Sequence, residues 1–163
     1  MSREISSLTK VRFWHCDPLG HLNNVRYLEY MLNAREDHFE QAYGFTYEEH
    51  IGDTGCTWVT VKSQIAYLRE VRSNEMVAIT SKTISTDERT STVEILMTSA
   101  DGSVTHCLLW ITTIYFNLQT RKAVEMPESL LQTVRETIAQ VEQTDFDERA
   151  KYLRHQNKKR IPK

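Results

Sequence analysis

His15-Cys16-Asp17-Pro18-Leu19-Gly20-His21-Leu22-Asn23-Asn24 runs straight into Val25-Arg26-Tyr27-Leu28-Glu29-Tyr30. A strand-like run over 9–14 leads into it, with Val11 and Phe13 on one side. Pro18 and Gly20 end that run, because proline has no N–H for a ladder and glycine punctuates turns. Asn23 or Asn24 can cap a helix, since a short side-chain carbonyl accepts from the first free backbone N–H groups. Helical spacing follows at Val25, Leu28, Leu32, Arg35, Phe39 and Ala42, and Gly44 supplies a stop. The helix is expected over 24–43. A carboxylate, a histidine and two asparagines therefore fall in the turn before a helix N-terminus. That end offers unpaired N–H donors and partial positive charge, which suit a developing oxyanion.

Downstream of a connecting loop at 45–55 the period changes from helical to two. Val59, Val61, Ile65 and Tyr67 fall on one face, with Thr60, Lys62 and Gln64 on the other. Further strands are expected over 76–84 and 90–98. Asp101-Gly102 marks a hairpin of the type I′ kind. The run over 104–117 is apolar on both faces, as a strand central to its sheet should be. Pro127 then opens a second helix, with an apolar stripe at Leu130, Leu131, Val134, Ile138 and Val141. Residues 146–163 read as a polar, basic tail, fraying from Tyr152 onward.

A long helix with one apolar face needs a surface to bury it, and a curved antiparallel sheet is the simple solution. The 163 residues suit one domain, spanning 1–145, with the tail beyond it. Forty per cent hydrophobic and 26% charged residues are ordinary for a soluble globular protein. A net charge of −2 gives no pull toward nucleic acid or an anionic membrane. Cys16, Cys56 and Cys107 lack metal spacing and read as reduced thiols, so a cytoplasmic setting is expected. No apolar run suggests a signal peptide or a membrane span.

The pattern Asp17-x-x-Gly20-His21-x-Asn23-Asn24-x-x-Tyr27-Leu28 resembles the signature of hotdog-fold thioesterases of the 4-hydroxybenzoyl-CoA thioesterase type, which include acyl-CoA thioesterases and relatives acting on acyl-carrier protein. Ile65-Ala66-Tyr67-Leu68-Arg69-Glu70-Val71-Arg72 resembles the family's second strand, with Glu70 where a proline is usual. The resemblance covers about the first three quarters of the chain. It implies an α+β hotdog fold: a five-stranded antiparallel sheet wrapped around a long central helix, here with an added C-terminal helix. It also implies hydrolysis of acyl-CoA or acyl-carrier thioesters, Asp17 as catalytic carboxylate, and the backbone N–H of Asn24 as oxyanion donor. Homodimers, or homotetramers built from them, are the family's assemblies. An open sheet edge supports pairing independently.

Each residue also has a plainer role. Asp17 alone, before Pro18 and Gly20, reads as an Asx-turn; the resemblance shifts it to catalysis. Asn23 is placed to cap. His21 either supports Asp17 or holds the turn together. Tyr27 lines an acyl pocket or packs. Arg69 and Arg72, with Lys62 and Lys82, are candidates for the phosphates of CoA, against ordinary solvated charge. Glu29, Glu36, Asp37 and Glu40 on the helix are a second place for a catalytic carboxylate, ranked below Asp17. Cys16 beside His15 or His21 raises a thiol nucleophile, but alternation turns Cys16 away from Asp17. There is no G-x-S-x-G elbow and no H-E-x-x-H zinc pair. No metal or redox cofactor is expected, CoA or phosphopantetheine entering as part of the substrate. A non-catalytic acyl-thioester-binding or protein-interaction module, and a hydratase using Asp17 with His21, are the other readings.

Overall fold

The computed structural model describes residues 4–160. The leader reading at 1–3 and the tail's end at 161–163 lie outside the described residues. The elements are β1 (Ile5–Lys10), a 3-10 turn (Phe13–His15), α1 (Asn24–Tyr43), α2 (Tyr47–Thr54), β2 (Cys56–Tyr67), β3 (Met76–Thr86), β4 (Thr90–Ser99), β5 (Thr105–Asn117), β6 (Lys122–Ala123), α3 (Glu128–Glu136) and α4 (Phe146–Arg160). Five strands form one antiparallel sheet in the order β1-β3-β4-β5-β2, and the two-residue β6 adds to β5. The sheet curls around α1 in a hotdog fold.

α1 starts where its sequence says it should. The Asn23 side chain accepts from Val25 N, and Gly44 closes the helix at φ 79° with its N–H on Glu40 O. Tyr27, Met31 and Ala34 press into the inner face of the sheet against Ile79, Val93, Ile95 and Met97. β5 is buried on both faces, as expected of a central strand. Leu109 and Ile111 join the α1 core, while Leu108 and Trp110 pack under Phe146, Ala150 and Leu153 of α4. A satellite core joins Cys56 and Tyr115 to Leu131 and Val134 of α3.

The sequence reading and the structure part in several places. The first strand lies at Ile5–Lys10, not 9–14, and Phe13–His15 turn out of the sheet. β1 is an edge strand with alternate residues exposed, so it carries little apolar signal. The connection at 45–55 contains α2, whose start is a capping box between Thr46 and Glu49. A bulge between Thr60 and Lys62 reverses the phase of β2 halfway along, so its residues do not keep one face. The 99–104 hairpin has a longer loop than a type I′ turn, gathered by Asp101 Oδ1, which accepts from Ser99 Oγ, Ser103 N and Ser103 Oγ. α3 stops at Glu136, short of Val141. The segment read as a polar, fraying tail is helical from Phe146 to Arg160 and lies on the outer face of the sheet.

Polar contacts also hold α4 there. Glu94, fully buried on β4, takes Arg149 Nε and Nη2 at 2.8 Å each and Trp110 Nε1 at 2.9 Å. The fork geometry of arginine makes this a two-point clamp. Asn157 continues it by accepting from Thr105 N and donating to Thr105 O, both at 2.8 Å, in the manner of a strand partner.

Candidate active site

The turn that precedes α1 is a small hairpin. Cys16 pairs with Leu22, Asp17 N donates to His21 O at 2.8 Å, and Asn23 N donates to His15 O at 2.9 Å. Gly20, at φ 78°, closes the turn with its N–H on Asp17 O at 2.9 Å. Asp17 thus stands on the strand running directly alongside the residues that start the helix. The hairpin is tied to the connection after β2, because His21 pairs with Arg72, Leu22 N donates to Val71 O and Ser73 N donates to Gly20 O.

The Asp17 carboxylate is divided between two roles. Oδ1 accepts from Leu19 N at 2.9 Å and from His21 N at 3.2 Å, so the plain Asx-turn reading describes this oxygen. Oδ2 has no hydrogen bond among the described residues. A partly buried carboxylate is thereby fixed in orientation through one oxygen and left with the other available.

The helix start is divided in the same way. Asn23 Oδ1 takes the Val25 N–H at 3.3 Å, and Asn23 O takes the Arg26 N–H at 2.8 Å. The Asn24 N–H has no acceptor among the described residues, while the Asn24 carbonyl is held by Tyr67 OH at 3.1 Å. Of the donors at this end, the unengaged one is the one the resemblance implies. Tyr67, which anchors that peptide, was read only as a strand residue; its role depends on how β2 meets the helix, which no local pattern carries.

The other candidates fall as follows. Asn23 is a helix cap, not a free substrate contact. Tyr27 is buried at 3% exposure in the α1 core, edge-on to Tyr67 at 5.3 Å. Burial pushes its hydroxyl up to about 12. It packs, and it is not a free pocket wall. His21 contributes its backbone to the hairpin, and the nearby Glu70 carboxyl is held below the usual range first by its own N–H and then by the charges of His21, Arg69 and Arg72. Arg69 and Arg72 are exposed, make no ion pair among the described residues, and flank the turn. Lys62 is exposed on β2. Lys82 is not available: its Nζ lies 2.8 Å from Glu4 and 3.7 Å from Glu94.

The rival chemistries lose their partners. Cys16 directs its thiol at Arg12 O, 3.5 Å away, and the neighbouring His15 Nδ1 is bound to Tyr30 OH at 2.7 Å. Glu29 is paired with Arg26 at 2.6 Å on the surface, and Glu36, Asp37 and Glu40 are also exposed. Among the described residues no three His, Cys, Asp or Glu side chains gather closely enough to hold a metal ion, and no helix is long and apolar enough to cross a membrane.

The surroundings of the turn are open and apolar. Phe13, Leu19 and Val25 are well exposed, and Trp14 is 88% exposed. Asp17 does not line the cavity of about 380 Å³ between α1 and β3 or the one of about 350 Å³ beside His15 and Tyr30.

The family model of the thioesterase-like superfamily matches residues 11–134. The long-chain acyl-CoA thioesterase FadM of Escherichia coli K12 is 30% identical over 131 residues, covering 77% of this chain and 96% of that protein. Among solved structures, the probable thioesterase YbaW of Escherichia coli superposes with a TM-score of 0.71 at 23% identity, over 82% of this chain and 98% of that one. A Staphylococcus aureus protein solved in complex with CoA superposes at 0.76 with 16% identity, over 89% and 92% of the two chains.

Proposed function

The chain belongs to the thioesterase-like superfamily, and from that premise we propose that it hydrolyses acyl-CoA thioesters to a free acid and a thiol, with Asp17 as the catalytic carboxylate. The observation that carries this is the division at the turn. One oxygen of Asp17 and the Val25 and Arg26 N–H groups are structural, while the other oxygen and the Asn24 N–H have no partner among the described residues.

The chemistry follows from those two groups. Asp17 Oδ2 takes a proton from water as water adds to the thioester carbonyl, or adds to that carbonyl itself and is freed by water in a second step. The Asn24 N–H, at the positive end of α1, receives the oxyanion that forms. Collapse of that intermediate breaks the C–S bond. A thiolate leaves readily, since thiols ionise near pH ~8.5, and no strong acid is required behind it. Water is the sole co-reactant, so the reaction asks for no metal or redox cofactor. Arg69 and Arg72 flank the turn and suit the phosphates of CoA or of a carrier-bound phosphopantetheine.

A thioester needs walls as well as donors, and the single chain leaves the turn open. We place a second copy of the chain there, joined through the β2 edge, to make a homodimer. Support comes from the twelve-residue edge strand and from the apolar side chains exposed around the turn. Three unpaired cysteines fit a reducing, cytoplasmic setting.

The test is thiol release from short, medium, long and aromatic acyl-CoAs by the wild type and by Asp17→Asn. Asparagine keeps an Oδ1 to accept from Leu19 and His21, so the turn survives while the carboxylate is lost. Turnover should fall roughly 10²- to 10⁴-fold. Equal rates remove Asp17 from the mechanism, and binding without turnover of any thioester leaves a binding module.

A further inference from the structure

Arg35 lies on the buried face of α1, at 8% exposure. Arginine stays charged, and the Arg35 guanidinium nitrogens are open to the adjoining cavity, since among the described residues only Ser73 Oγ is a buried side-chain polar atom with no partner. Arg35 makes no hydrogen bond and no ion pair with any described residue. The contact it does make is with the Phe39 ring, whose centroid is 5.9 Å from Cζ. It lines a cavity of about 380 Å³ that opens between β1, β3, the last turns of α1 and the end of α3. It also lines a narrow recess walled by Phe39, Tyr47 and Trp58. Arg35, Tyr43 and Thr83 are common to both, so the recess continues inward from the cavity.

Among the described residues, the charged groups around this space are Arg35, Lys82 and Arg149 against Glu4, Glu94 and Glu136. Lys82 sits between Glu4 and Glu94, and Glu94 is clamped by Arg149. Glu136, at the rim, is exposed and accepts from Gln132 at 3.1 Å. Arg35 differs from the others in lying on a buried helix face with no ion-pair partner among the described residues. The polar wall beside it is uncharged: Tyr43 OH lies 3.1 Å from Thr137 Oγ1 and 3.5 Å from Thr83 Oγ1.

We propose that this cavity is a binding site for a monocarboxylate with a compact apolar or aromatic body. The carboxylate takes the guanidinium fork of Arg35, and the body lies in the cavity of about 380 Å³ against Ile5, Ala42 and Tyr43, because the recess at Phe39, Tyr47 and Trp58 holds only about 30 Å³. A single guanidinium with no ion-pair partner among the described residues can take one carboxylate. A dianion such as phosphate would meet two carboxylates, Glu4 and Glu136, in the cavity walls with that single guanidinium to receive it. The site is separate from the catalytic turn: Arg35 is eleven residues beyond Asn24, about 16 Å along α1, and no residue from Asp17 to Asn24 lines it. The inference does not depend on the hydrolytic reading.

Isothermal titration of the full chain with benzoate, hexanoate, benzyl alcohol and inorganic phosphate tests it. Both carboxylates should bind saturably and the alcohol should not. Arg35→Met should weaken carboxylate binding at least tenfold while the thermal transition of the chain persists. Arg35→Lys, which keeps the charge and loses the fork, should bind with intermediate affinity. Asp17→Asn should bind as the wild type does, whether or not it hydrolyses anything. Absence of saturable carboxylate binding, undiminished binding by Arg35→Met, or phosphate binding as tight as benzoate overturns the proposal.

Discussion

Asp17 shows how much a single residue can announce and how much it cannot. Its place beside a helix start was legible, because proline, glycine and two asparagines act on the chain locally. Its division into an anchored and an unengaged oxygen was not, since that depends on backbone donors at Leu19 and His21. The division has a measurable consequence. Asp17→Ala should lose the activity that Asp17→Asn loses and also lower stability by about 1 kcal/mol, the usual worth of such a bond; urea unfolding of the two variants separates the effects. The buried histidines were not legible at all. His38 sits on α1 between Ser81 Oγ at 2.8 Å and Ser7 Oγ at 2.9 Å. Burial, and then the Arg35 charge, hold it below its ordinary value; burial also lowers His50 and His106. The unfolded chain therefore takes up protons that the folded chain resists. Stability from these groups is complete above roughly pH 6.5 and falls as the pH drops below it. Thermal midpoints measured from pH 8 to 5 should decline through that window. His38→Gln, whose amide can still reach Ser81, should flatten the decline.

At the scale of elements, the long helix and four of the strands could be read because their periods are regular and their ends carry their own stop signals. α4 could not, because two of the five residues it buries are polar. Phe146, Ala150 and Leu153 keep helical spacing, but Arg149 and Asn157 between them are buried only because Glu94 and the Thr105 peptide wait on the sheet. A pairing fifty residues apart leaves no periodic trace. It does make a sharp expectation. Arg149→Met should cost roughly 3–5 kcal/mol, since Glu94 would stay buried with its main counter-charge removed. Adding Glu94→Leu to Arg149→Met should recover most of the loss, because both desolvated charges then disappear. Urea unfolding of the two single variants and the double variant checks this. Additive losses would mean that the clamp contributes no coupling.

At the scale of the whole molecule, the sheet order leaves two edges, and they are not equivalent. β1 is six residues long, while β2 is twelve, with Val59 exposed and Val61 59% exposed at the bulge. Apolar side chains on a long free edge invite a partner. Around the turn at the head of α1, Trp14, Phe13, Leu19 and Val25 add an apolar collar that no element of the same chain covers. A hydrolytic site on that surface would leave its thioester in bulk water, where the single Asn24 N–H competes with solvent for the oxyanion. Pairing of two copies through β2 answers both problems at once, closing the edge and walling the turn. Sedimentation at micromolar concentration should therefore give twice the mass of one chain. Val59→Asp combined with Val61→Asp should place like charges across the joined edges and shift the protein toward the single chain. Thiol release should fall with the dimer fraction, at least tenfold when the dimer is lost, while the thermal transition of the chain persists. A wild type that sediments as one chain at full activity would show that the turn works without a second copy.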